Sequence, residues 1–229
     1  MTSPVHAGAD APAAVLPETA PEDAAASTPR TAGSLRRGGT ATRDLINIGI
    51  FSAIYFVVTT IGGMIGILSP IAMFGGFVLG ILVNGSVIML FLARTHARWS
   101  LATMGAVTGL LMVVTGHVWY TLPACVLLGA GADLIVRAGR YRSRVADIAV
   151  YAVFTLWMVV PFLPIFYQAD AYFADTAKSM GQAYADALQA LVTPWLLVGW
   201  TVVLAVVGAI AAWIGTEMLD KHFVKAGIV

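Results

Sequence analysis

The residues with chemistry to offer are few, and the densest group is the stretch TGHVWY at 115–120. It sets an imidazole, His117, beside the indole of Trp119 and the phenol of Tyr120. Such a set can hydrogen-bond a ligand, stack on a planar ring, or ligate a metal centre through a ring nitrogen. Three more phenols, Tyr167, Tyr172 and Tyr184, lie in or just before the polar segment 168–191, QADAYFADTAKSMGQAYADALQAL. Arg140 and Arg142 sit in the short basic run GRYRS. Asn84 and Asp133 are isolated polar residues inside apolar runs, and Cys125 is the only cysteine. A single cysteine makes no disulfide within the chain and no zinc cage.

The sets that catalysis requires are missing. No GxxxxGK[ST] loop is present to cradle ATP phosphates, and no HExxH pair to hold zinc. Ser52, Ser69 and Ser86 have no histidine at helical spacing to act as a base. No series of intramembrane carboxylates suggests a proton relay. The chain is therefore expected not to be an enzyme, to bind no catalytic cofactor or metal, and to draw no power from ATP by itself. No nucleic acid is expected among its partners.

The elements that must position these residues follow from composition. The 229 residues are 59% hydrophobic and only 11% charged, with a mean hydropathy of +0.85. Soluble domains are about 45–50% apolar and about 25% charged, so lipid must be the solvent for most of this chain. Residues 1–42 differ from the rest. They are rich in Ala, Pro, Thr and Gly with almost no large apolar side chain, and read as a disordered cytoplasmic tail. They lack the apolar core of a secretory signal. From 43 to 229 six apolar runs approach the length of about 20 residues needed to cross a bilayer. They fall near 45–67, 70–93, 99–116, 118–136, 146–167 and 192–215. The fold class is all-α, a six-helix membrane domain.

Charge sets the orientation. With both termini in the cytoplasm, all of the thirteen basic residues except Lys178 fall on the inner side, as the positive-inside rule requires. TGHVWY and 168–191 then face outward. For TGHVWY two readings stand: an interfacial aromatic belt with a hydrogen-bonded histidine, or the mouth of a binding site. Gly116 would permit the turn, and Pro123 would interrupt the fourth helix near the same depth. Read as one helix, 168–191 places Phe173, Met180, Tyr184, Leu188 and Leu191 on one stripe. It is either an interfacial helix or a lid over the seam. Asn84 is either a functional polar group or an interhelical hydrogen bond. Asp133 and Arg137 are spaced for an i,i+4 ion pair.

Small residues recur at four-residue spacing: Gly49/Ala53, Gly62/Gly66, Gly76/Gly80, Gly105/Gly109, Ala205/Ala209 and Ala211/Gly215. Such pairs let helix backbones approach closely in lipid, within the bundle or against a partner helix.

Several segments carry a resemblance. RDLINIGIFSAIYFV at the first span, the GHVW seam, GAGADLI at 129–135, GRYRS, YAVFTLWMV and the closing KHFVKAGIV occur in order along the chain. Together they resemble the Trep_Strep (MptD-type) integral membrane proteins, a family associated with the substrate-binding S components of energy-coupling factor (ECF) importers. The resemblance runs from about Arg43 to Val229. It implies a six-helix subunit of the cell membrane that captures a vitamin, metal ion or other small cofactor from outside. A separate T component and two ABC ATPases would supply the power, so ATP would be used only by partners. His117, Trp119 and Tyr120, with Tyr167, Tyr172 and Tyr184 behind them, would bind the cargo. Haem is among the cargoes considered, since imidazole is a common axial ligand. Gly49 and Ala53 match the small-residue pattern by which S components contact the T component, with Gly where Ala is usual. Arg140 and Arg142 would assist coupling or contact anionic lipid. The alternative is a stand-alone solute carrier.

Overall fold

Two Ser/Thr-Pro pairs start the two longest apolar helices after the first. Ser69 accepts from the Ala72 N–H at 3.1 Å with Pro70 at the first helical position, and Thr193 accepts from Leu196 N–H at 3.1 Å with Pro194 in the same place. The hydroxyl satisfies an orphan donor, and proline sits where its missing N–H costs nothing. Ser143 opens a third helix in the same way, accepting from Ala146 N–H at 3.3 Å.

The computed structural model describes residues 32–95, 97–140 and 143–223, and these are helical without a strand. The order is α1 (Ala32–Met64), α2 (Pro70–Arg94), α3 (Ser100–Val114), α4 (Thr121–Ala138), α5 (Arg144–Phe154), α6 (Ala169–Met180), α7 (Gln182–Leu191) and α8 (Pro194–Met218). Helical backbone thus begins at Ala32, inside the segment expected to be a tail; residues 1–31 lie outside the described part. After α5 the chain continues as a 3₁₀ helix, Thr155–Phe166, which contains Pro161 and Pro164. A 3₁₀ helix rises about 2.0 Å per residue against about 1.5 Å for an α-helix. The change lengthens the Arg144–Phe166 stretch without adding residues.

Among the described residues five stretches are long and apolar enough to cross a membrane: Thr42–Ile67, Pro70–Arg94, Thr121–Ala138, Arg144–Phe166 and Pro194–Lys221. The expected span at 99–116 is α3, with 15 residues, or about 22 Å. It is shorter than the usual hydrocarbon core of about 30 Å, because Trp99 and Thr115–Gly116 are used in turns. Trp99 adopts left-handed backbone (φ 64°) and Gly116 a φ of 100°.

Consecutive helices pack as hairpins, and glycine permits the approach. A Cβ on Gly76 would lie 2.0 Å from the Gly62 carbonyl oxygen, between α1 and α2. Between α3 and α4, a Cβ on Gly105 would lie 2.3 Å from the Cys125 oxygen, and one on Gly129 2.4 Å from the Leu101 oxygen. Between α2 and α8, a Cβ on Gly85 would lie 2.3 Å from the Ala211 oxygen. The Gly62/Gly66, Gly76/Gly80, Gly105/Gly109 and Ala211/Gly215 repeats are therefore consumed inside the bundle.

The core holds Tyr55, Ile81, Phe91, Leu101, Met104, Tyr151, Phe154 and Leu204, all fully buried. Some of its polar groups hold one another. Asn84 Nδ2 donates to the Tyr55 carbonyl (3.2 Å) and to Thr59 Oγ1 (3.0 Å), linking α2 to α1. Trp157 Nε1 donates to Tyr55 Oη (3.0 Å), and Tyr151 Oη donates to the Ile81 carbonyl (2.9 Å). Asn84 is thus an interhelical hydrogen bond.

The ends of the bundle differ. The C-terminal ends of α2, α4 and α8 meet the starts of α3 and α5 at a basic end, which carries Arg94, Arg98, Arg137, Arg140 and Arg144. The turn from α3 to α4, and the chain from Tyr167 to Thr193, form the opposite, aromatic end.

Candidate functional site

At the aromatic end the α3–α4 turn meets the end of the 3₁₀ helix. Gly116 turns the chain out of α3, and Tyr120 precedes the first residue of α4. Tyr167 terminates the 3₁₀ stretch, where the rings of Tyr120 and Tyr167 come to 6.4 Å between centroids and their hydroxyls are hydrogen-bonded, Tyr167 donating. Trp119 meets Tyr120 edge-on at 5.7 Å, yet is 74% exposed. Pro123 lies in the first turn of α4, where proline is tolerated, so the expected interruption of this helix does not occur.

The segment 168–191 is not one helix. Gly181, with a φ of 92°, separates α6 from α7, a backbone conformation that glycine adopts without a Cβ clash. The single stripe expected from the sequence is therefore divided. Phe173, Tyr184 and Leu188 still turn inward, over Phe162, Ile165, Val192 and Leu197, and pack with Met73, Phe74 and Phe77 of α2. Met180 stays partly exposed at 39%. Tyr184 Oη points to Met73 Sδ at 3.9 Å. The two short helices thus pack against the 3₁₀ stretch and α2 at the aromatic end.

The phenols at this end lie close enough to act on one another. Burial raises the Tyr120 pKa, and the hydrogen bond and proximity of Tyr167, together with Tyr172, raise it further. Tyr172 is pushed up to about 12, by burial first and by Tyr184 second. Burial also raises Tyr184. Tyr120, Tyr172 and Tyr184 therefore stay protonated at neutral pH, as neutral hydrogen-bonding groups on aromatic rings. This chemistry suits a planar polar ligand by stacking and hydrogen bonding.

His117 is placed differently. Its Nδ1 lies 3.1 Å from the Met112 carbonyl oxygen, and its backbone N–H donates to the same oxygen at 3.0 Å. A carbonyl only accepts, so Nδ1 carries the proton in this pair, and Nε2 of the neutral ring keeps its lone pair. The ring's outer edge is exposed, but partial burial lowers its pKa from 6.5, outweighing the bond to Met112. The structure brings Tyr120 and Tyr167 into contact, with Trp119 beside them and Tyr172 and Tyr184 behind. It turns His117 back onto the end of α3 rather than into the phenol cluster.

The residues expected to couple to a partner lie elsewhere. Gly49 and Ala53 are exposed on α1, and a Cβ on Gly49 would meet nothing within 4 Å. Ile46, Ile50 and Val57, each more than half exposed, border them. Arg140 is exposed after α4 with a φ of 52°; Arg142 lies outside the described residues.

One polar group has a role that spacing did not disclose. Asp133 does not pair with Arg137. Its carboxylate accepts from the N–H groups of Leu101 (3.3 Å) and Ala102 (2.9 Å) and so caps α3 from the neighbouring helix. Trp99 supplies no side-chain cap, and a helix N-terminus attracts an anion. Arg137 lies instead over the Trp99 ring, 4.1 Å from its centroid. Tyr55 and Trp157 were also missed as a hydrogen-bonded pair. The available signal was a phenol and an indole in the middle of apolar runs, far from the interfaces where such rings usually sit.

A bundle of apolar helices with an aromatic end and a basic end defines a multi-pass, all-α integral membrane protein. The chain belongs to the Trep_Strep family, described as hypothetical bacterial integral membrane proteins, whose family model matches residues 42–225. It is accordingly a multi-pass protein of a bacterial cell membrane. Neither the comparison with curated proteins nor that with solved structures finds a match.

Proposed function

We propose that this chain is the substrate-capturing S component of an ECF-type importer. It takes a small micronutrient or cofactor at its aromatic end and is powered in trans by a T component and two ABC ATPases. The observation that carries this reading is the uncovered Gly49/Ala53 face of α1. Gly62, Gly76, Gly85, Gly105 and Gly129 are each closed against another helix, whereas Gly49, like Gly75, Gly131 and Gly199, has open space around it, and it is Gly49 that is spaced four residues from a second small exposed residue, Ala53. A small-residue pair that the bundle leaves unused suits close approach by a helix of another subunit. The absence of a phosphate-binding loop fits power supplied by partners. Tyr120, Tyr167 and Tyr172 supply rings and hydroxyls for the cargo, with α6 and α7 as a cover.

Reconstitution tests the division of labour. In liposomes containing the chain alone, candidate vitamins and haem are expected to bind but not to accumulate. Accumulation is expected only with the partner subunits and internal ATP. Uptake by the chain alone, driven by an ion gradient, would establish the alternative, a self-sufficient carrier.

A further inference from the structure

The basic end of the bundle contains a cavity of about 150 Å³ between α2, α3, α4, α5 and α8. Its polar lining is entirely oxygen: the carboxylates of Asp133 and Asp147 and the hydroxyls of Thr95, Ser100 and Thr216. Among the described residues no lysine, arginine or histidine lines it, although basic side chains crowd this end.

Two of these oxygen groups lack partners. The carboxylate of Asp147, a partly buried residue, makes no ion pair or hydrogen bond among the described residues. Thr95 is 3% exposed and its hydroxyl oxygen has no hydrogen-bond partner. Arg144 is engaged elsewhere, bridging to Glu217 at 3.3 Å and to Asp220. Arg137 lies over the Trp99 ring and makes no salt bridge to Asp133, although its charge reaches that carboxylate. Asp133 holds two backbone N–H groups, but its oxygens have further lone pairs.

A buried hydroxyl without a partner is costly unless water or a ligand satisfies it, and the Asp147 carboxylate keeps its acceptor sites open beside it. A donor set made only of oxygen selects hard cations. Two carboxylates balance a divalent charge. Two carboxylates in a space with room for several waters, at about 30 Å³ each, match Mg²⁺, which is held through one or two carboxylates and fills the rest of its octahedron with water. We propose that this cavity binds a hydrated divalent cation of the Mg²⁺ class, held chiefly by Asp147 and Asp133, with Thr95 as a further oxygen ligand. The ion would tie together five helices at the end opposite the aromatic one. The inference is independent of the transport reading.

The test uses the full chain in an uncharged detergent, stripped with EDTA, with Mn²⁺ as a paramagnetic probe. The expected result is saturable Mn²⁺ binding that Mg²⁺ displaces and Na⁺ or K⁺ at equal concentration does not. Asp147→Asn is expected to weaken it by about tenfold or more, and Thr95→Val by a smaller factor. Mg²⁺ should raise the unfolding temperature of the unmodified chain and not that of Asp147→Asn. No saturable Mn²⁺ binding by the unmodified chain overturns the proposal, whatever the variants do. So does binding that survives Asp147→Asn at full affinity, or that Na⁺ or K⁺ displaces equally well.

Discussion

Gly105→Ala is expected to destabilise the bundle by more than about 2 kcal/mol, while Gly49→Ala stabilises it by up to about 1 kcal/mol. Both residues lie within helices, so the intrinsic gain from replacing glycine by alanine is the same. The difference lies in what the new methyl group meets. At Gly105 it falls 2.3 Å from the Cys125 carbonyl oxygen and 2.9 Å from its carbon. Those atoms are backbone and cannot rotate away, so α3 and α4 must separate. Separation also draws Leu101 and Ala102 from the carboxylate of Asp133. At Gly49 the methyl group meets nothing within 4 Å. Thermal unfolding of the two variants in the same detergent measures the contrast. Gly76→Ala should behave as Gly105→Ala does, with its Cβ 2.0 Å from the Gly62 oxygen. Equal unfolding temperatures for the Gly49 and Gly105 variants would contradict the hairpin packing described here.

Asp133→Leu is expected to lower the unfolding temperature by about 5–10 °C, and Asp133→Asn by less than half as much. The leucine leaves two N–H groups of α3 without an acceptor, one of them on fully buried Leu101. An unsatisfied buried donor costs about 1–3 kcal/mol. In a chain of this size each kcal/mol corresponds to about 2–4 °C. Asparagine keeps one acceptor oxygen and caps nearly as well as aspartate. Arg137→Gln should have a smaller effect than Asp133→Leu, because Arg137 covers Trp99 rather than pairing with the carboxylate. Were the two residues an i,i+4 ion pair, the two variants would lose comparable stability.

What the sequence disclosed and what it withheld divide along one physical line. Apolar run length is a local property, so the long crossings could be read directly. Small residues at four-residue spacing disclosed close approach, and α1–α2, α3–α4 and α2–α8 indeed meet at those glycines. The partner of a polar group is not local. Asp133 and Arg137 have the spacing of an ion pair, yet the uncapped start of α3 competes for the carboxylate and wins. His117 looked like part of an aromatic set, but a chain reversal at Gly116 returns it to Met112. The break at Gly181 was legible in principle, since a glycine between two short amphipathic runs weakens any single-helix reading. The 3₁₀ stretch was less so. Pro161 and Pro164 mark a disturbed helix, but its extent from Thr155 depends on packing against α8, where Thr155 Oγ1 donates to the Leu204 carbonyl at 3.1 Å.

The central claim is that the open face of α1 belongs to another subunit. The most direct measurement is affinity purification of the full chain from native membranes in mild detergent, with mass spectrometry of what accompanies it. Ala53→Trp is compared in parallel. Ala53 is exposed beside Gly49, so the indole should leave the fold intact while blocking close helix approach. The account predicts that a second multi-pass protein and two ABC ATPases accompany the unmodified chain and are lost from Ala53→Trp, with unfolding temperatures unchanged. Recovery of the unmodified chain alone, in more than one mild detergent, would contradict it, as would partners retained in full by the variant.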